Sequence, residues 1–198
     1  MRIGPKDMPK NLIGHNNGPS MARGHSYRSY QWRCAQQALM LNTLPLMLIR
    51  MRLRRAAELG MSYKTYARIR QASGQDIMAL LFSSNALRII GNGAKMPDAE
   101  NRALEAIKSA GKLTLVHAPN TPPAVLQANP VLDTAEAAPR FTDSWTQMRE
   151  RVEGVIRSQN LPGDQVLIIG DAPLEADWMA AARAAGYLPA DQYFAHQA

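Results

Sequence analysis

The chain has 198 residues, 46% of them apolar and 20% charged, with 13 Gly and 13 Pro. These proportions fit one compact domain with an appendage and exclude a disordered, collagen-like or low-complexity protein. The net charge of +7 is unevenly spread: residues 1–75 carry 13 basic and 2 acidic side chains, a net +11, and residues 76–198 carry 10 and 14, a net −4. Such asymmetry implies two jobs, one of them involving an anionic partner.

Residues 1–26 are rich in Gly, Asn, Pro and Ser and read as a flexible leader, because they carry too little apolar surface to offset the cost of ordering. His15 and His25 fall here as solvated loop residues, with no Cys, Asp or Glu at ligand spacing. A single cysteine, Cys34, excludes an intrachain disulfide framework and suits a reducing, cytoplasmic setting. The leader has no apolar core of signal-peptide length, and no run of about 18 apolar residues predicts a membrane span.

Residues 27–75 read as a basic helical arm. Helices are predicted over 27–41 and 44–59, broken near Pro45 and stopped at Gly60, with Leu46, Ile49, Leu53, Ala56 and Ala57 on one stripe of the second. Ser62 is placed as the N-cap of a third helix over 63–71. The candidate binding residues are Arg50, Arg52, Arg54, Arg55, Arg68 and Arg70, interleaved with aromatics that include Tyr63 and Tyr66. Three partners suit such a segment. The first is a protein partner or the chain's own acidic half, with the Leu46 to Ala57 stripe as packing surface. The second is nucleic acid, held by bidentate arginines and stacked aromatics. The third is an anionic membrane surface, which the scattered charge of the helix suits least.

From Asp76 the texture changes. Short apolar runs at 77–82, 113–116 and 166–169 have the character of strands buried on both faces, and helices are predicted over 97–110, 145–159 and 174–185, the last stopped by Gly186. Residues 118–143, with five prolines, are expected to be mostly loop, with a short strand at 125–126 or 131–132. Strands alternating with helices of this length predict an α/β domain over 76–198, a Rossmann-like parallel sheet covered by helices in three layers.

In such sheets functional residues lie beyond the carboxyl ends of the strands. Those positions read FSSNAL, VHAPN and GDAPLEAD, and in their order and framing they resemble the haloacid dehalogenase-like (HAD) hydrolase superfamily over about residues 76–190. The resemblance implies a HAD-like sheet without a large cap. It sets Ser83 at the place of the family's nucleophilic Asp, Asn85 at its acid/base Asp, Leu87 at a Thr and His117 at its motif Thr or Ser. Asp171 is the retained acidic residue, with Asp177 as a second metal ligand. No lysine follows Lys112, so Arg140 and Arg149 are the candidates for the family's phosphate-binding Lys.

Aspartyl-phosphate chemistry needs a carboxylate nucleophile and a second carboxylic acid that moves the proton. With Ser83 and Asn85 in those places, the expectation is a non-catalytic or impaired domain, a pseudoenzyme that binds or regulates. No cofactor is expected, Mg2+ being left with Asp171 and Asp177. An alternative is an atypical hydrolase in which Ser83, His117 and Asp171 act together. Another is nucleic-acid binding through the arm.

Overall fold

In the computed structural model the residues described are 45–91 and 93–195. The leader, the helix predicted over 27–41, His15, His25 and Cys34 lie outside them. The chain divides into two units, residues 1–49 and 50–198, and the second contains the whole sheet.

Five parallel strands form one sheet in the order β3-β2-β1-β4-β5. Its elements run α1 (Leu46–Glu58), α2 (Tyr63–Ser73), β1 (Ala79–Ser83), α3 (Asp98–Ala106), β2 (Gly111–Val116), α4 (Pro122–Ala128), β3 (Thr134–Ala137), α5 (Trp145–Ser158), β4 (Val166–Gly170), α6 (Asp177–Ala182), β5 (Gly186–Pro189) and α7 (Ala190–Phe194). Every residue of β1 and β4 is buried, as the continuous apolar runs required. Alternate side chains feed two cores. Leu80 and Phe82 of β1 join Leu104, Val125, Leu167, Ile169 and Tyr193, whereas Ala79 and Leu81 join Val152, Val155, Ile156, Ile168 and Trp178. Helices thus cover both faces of the sheet. Among the described residues no helix is long and apolar enough to cross a membrane.

The first core also takes in Ala56, Leu59, Tyr66 and Ile69, so α1 from Arg50 and α2 pack with the sheet, and the change of charge near residue 75 does not mark an end of packing. Ser62 caps α2 as its sequence predicted, accepting from the Thr65 amide at 3.1 Å, and Gly74 closes it at φ 74°. The apolar stripe expected on α1 is only partly turned inward. Ala56 is buried, but Leu53 is 47% exposed and Ala57 exposed, because the inward face also takes Arg55.

Arg55, one of the candidate binding residues, has a side chain only 13% exposed. Its Nη2 donates to the carbonyls of Ile77 at 2.7 Å and Ser109 at 3.1 Å, and Nη1 donates to Lys108 O and Glu58 Oε2, each at 3.4 Å. Nε stands 3.3 Å from Asp76 Oδ2 in an ion pair that lacks hydrogen-bond alignment. One guanidinium therefore ties α1 to the entry of β1 and to the loop before β2.

Three stretches differ from expectation. Residues 118–143 hold a helix and a strand: Pro122 and Pro123 open α4, where a missing amide costs nothing, and Val125 is buried in the first core. The strand is β3, at 134–137 rather than 125–126 or 131–132. The helix expected over 97–110 ends at Ala106, since Ile107 is extended at φ −65°, ψ 127° and Gly111 already pairs in β2. The segment 174–185 divides into a 3-10 turn, Pro173–Ala176, and α6; Arg183 at φ 51° ends that helix, and Gly186 begins β5 instead of stopping a helix.

Candidate functional site at the strand ends

Strand order brings the three segments singled out in the sequence side by side. β1 lies between β2 and β4, with Ser83 opposite Leu115 and Phe82 opposite Ile169, so the exits of all three strands fall at one level. The chain turns sharply after β1: the Ser83 hydroxyl accepts from the Ala86 amide at 3.0 Å, and Ile89 N returns to Ser84 O at 3.0 Å. The Ser84 hydroxyl accepts from His117 N at 3.0 Å and fastens the β1 exit to the β2 exit.

At the centre is Glu175, a residue to which the sequence pattern assigns no role. It sits on the 3-10 turn after β4 and is 1% exposed. Oε2 accepts from the amides of Asp171 at 2.7 Å and Ala172 at 3.2 Å, and Oε1 accepts from Asn85 Nδ2 and His117 Nε2, both at 2.8 Å. Burial pushes the carboxyl's pKa up, but the hydrogen bonds from His117, Ser83, Asp171 and Ala172 outweigh it and the net displacement is downward. An ionised carboxylate can only accept, so in this bond His117 Nε2 is the donor. The imidazole stacks on the Trp178 indole at a centroid distance of 5.6 Å and an interplanar angle of 25°.

Gly170 makes room for this arrangement. A Cβ there would lie 2.6 Å from Glu175 Oε2 and 2.7 Å from a ring carbon of Tyr187, so no larger residue fits without displacing one of them. The Tyr187 phenol is itself raised in pKa, by burial first and then by the charges of Glu175, Asp171 and Asp191.

Of the predicted site residues, Ser83, Asn85 and His117 meet around Glu175. Asp171 contributes its amide, while its residue is exposed; the carboxylate bonded to His117 is that of Glu175, so the set Ser83, His117 and Asp171 does not assemble as a triad. Ser83 is fully buried and its hydroxyl is already engaged, which leaves it no approach to a substrate. Asp177 opens α6 and is exposed there. Among the described residues no group of three His, Cys, Asp or Glu can hold a metal ion, and both Glu175 oxygens are saturated by donors.

Arg140 is exposed and Arg149 pairs with Glu153 at 2.9 Å on α5. The described arginines of the arm have different partners. Arg55 is committed to backbone carbonyls, Arg70 lies 3.3 Å from Asp76 and donates to the Tyr66 hydroxyl at 3.2 Å, and Arg54 pairs with Glu58 at 3.1 Å. Arg50 and Arg68 are exposed and Arg52 is half-buried.

A local signal exists for the backbone bonds of Glu175 alone: a Pro opening a turn one residue after the strand-end Gly-Asp, with a Glu two residues on, in reach of the amides that precede it. Compared with known proteins, the chain matches no family model, no curated protein and no solved structure.

Proposed function

We propose that this chain is a non-catalytic relative of the HAD-like hydrolases, a binding or regulatory α/β domain whose basic helical region faces its partner. The observation that carries the reading is at Ser83. The position of the family's nucleophile holds a hydroxyl, 0% exposed, that accepts from the Ala86 amide, and the acid/base position holds Asn85, whose amide donates to Glu175. Neither group can form or hydrolyse an aspartyl-phosphate, and loss of a nucleophile removes several powers of ten in rate.

For the basic region, docking within the chain has direct support over residues 50–75. Arg55 and Arg70 spend their charge on Asp76 and on carbonyls of the α/β unit. The remaining exposed arginines are the part available to a protein partner.

The test is hydrolysis of p-nitrophenyl phosphate with and without Mg2+. The expected result is release no faster than the buffer blank. Turnover by the wild-type chain that disappears in Asp171→Ala would overturn the reading.

A further inference from the structure

The order β3-β2-β1-β4-β5 places the reversal of strand order between β1 and β4. In open parallel sheets the crevice outside the strand ends at that point is where ligands bind. Here the crevice is bridged by the chain itself, through the 2.8 Å hydrogen bond from Asn85 at the β1 exit to Glu175 at the β4 exit. A carboxylate has about four lone-pair sites. Four nitrogen donors surround that of Glu175, Asn85 Nδ2, His117 Nε2 and the amides of Asp171 and Ala172 at 2.7–3.2 Å, beside the hydroxyl of Ser83. They come from the exits of three different strands and are held in place by the sheet.

We propose that these donors constitute an oxyanion-binding site and that Glu175 is its tethered ligand. A small carboxylate or a phosphate-type oxyanion enters when the turn Pro173–Ala176 withdraws the Glu175 side chain, so the site is closed by an autoinhibitory contact. The inference shares the strand ends with the non-catalytic reading but rests on donor geometry, and the two fail separately: hydrolysis by the wild type counts against the first, and the absence of anion-selective stabilisation counts against the second.

Glu175→Ala removes the tethered carboxylate and leaves the donors. Thermal melts of wild type and variant are compared in formate, in inorganic phosphate and in chloride, about 0.1 M and matched in ionic strength. For an anion bound at roughly 10 mM, the variant's melting temperature rises by about 4 °C more in formate or phosphate than in chloride, and the wild type shows no such difference. A rise with formate alone identifies a carboxylate site; a rise with phosphate identifies the larger oxyanion. Adding His117→Ala to the variant abolishes the selective rise. If Glu175→Ala does not fold in chloride, recovery of folded protein on refolding in formate or phosphate is the readout. Equal responses of variant and wild type, a rise that survives His117→Ala, or recovery in none of the three salts overturns the proposal.

Discussion

Arg55 offers a sharp test of what the arginines of the arm do. If it served an external anion, its removal would leave stability nearly unchanged; if it ties α1 to the sheet, its removal exposes a cluster of carbonyls with no donor. The two short bonds, to Ile77 O at 2.7 Å and Ser109 O at 3.1 Å, are charge-assisted, and such bonds contribute about 1.5–3 kcal/mol each. The bonds at 3.4 Å add little, and water reaches part of the vacated space. Arg55→Ala is therefore expected to cost about 3 kcal/mol, and in a folded unit of this size that lowers the melting temperature by about 9 °C. Arg54→Ala is the matched control: it removes the same charge from the adjacent position, where the side chain is 84% exposed and meets only Glu58. Arg55→Lys keeps the charge but loses the planar fork that reaches two carbonyls at once, so it does not restore stability. Urea unfolding and thermal melts of the three variants read the difference directly. Equal shifts for Arg54→Ala and Arg55→Ala would refute the reasoning.

Two glycines are expected to respond with opposite sign. Gly170→Ala drives a methyl into Glu175 Oε2 and the Tyr187 ring, at 2.6 and 2.7 Å, and costs about 2 kcal/mol in urea unfolding, whereas a Cβ at Gly154 meets nothing within 4 Å, so Gly154→Ala stabilises α5 by about 0.5–1 kcal/mol. A neutral Gly170→Ala would mean that the carboxylate does not sit against the strand end. Glu175 also sets an acid limit. Its folded pKa lies below the ordinary 4.5, so its contribution is complete above that value and is lost as pH falls through the lowered folded pKa. In Glu175→Gln the stability profile below about pH 4.5 is expected to be flatter than in wild type; parallel acid limbs in denaturant titrations would contradict the hydrogen-bonded carboxylate.

The central strands were legible because burial on both faces leaves an unbroken apolar run, and β1 and β4 fall within two residues of the predicted spans. The outer strands were not. Thr134–Ala137 and Gly186–Pro189 are four residues each, have a neighbour on one side only, and carry no apolar run, so nothing local distinguishes them from loop. Gly186 misled for a physical reason: glycine ends helices through its left-handed conformation, but here Arg183 takes that conformation three residues earlier. At the site, Ser83, Asn85 and His117 were legible by place, since strand exits are where such sheets put polar groups to use. Glu175 was not, because a carboxylate that is almost fully buried goes against what its type predicts, and its side-chain donors lie 58 and 90 residues away in the chain. Only the folded sheet brings them within reach.

The same distinction between local charge and folded partner governs the basic region. A surplus of +11 over residues 1–75 counts side chains, not available positive charge. Arg55 and Arg70 share Asp76, the acidic residue at the mouth of β1, at 3.3 Å each, and Asp76 in turn accepts from the Tyr66 hydroxyl and the Ile77 amide. These arginines neutralise a carboxylate at the seam between helices and sheet, and an outside anion would have to displace that pairing as well as the carbonyl bonds. Arg50, Arg54 and Arg68 carry no comparable obligation, since they are exposed and only Arg54 is in an ion pair, itself accessible to solvent and weak on that account. Among the arginines of the described arm, any attraction for an anionic surface or partner is therefore exerted chiefly by these three.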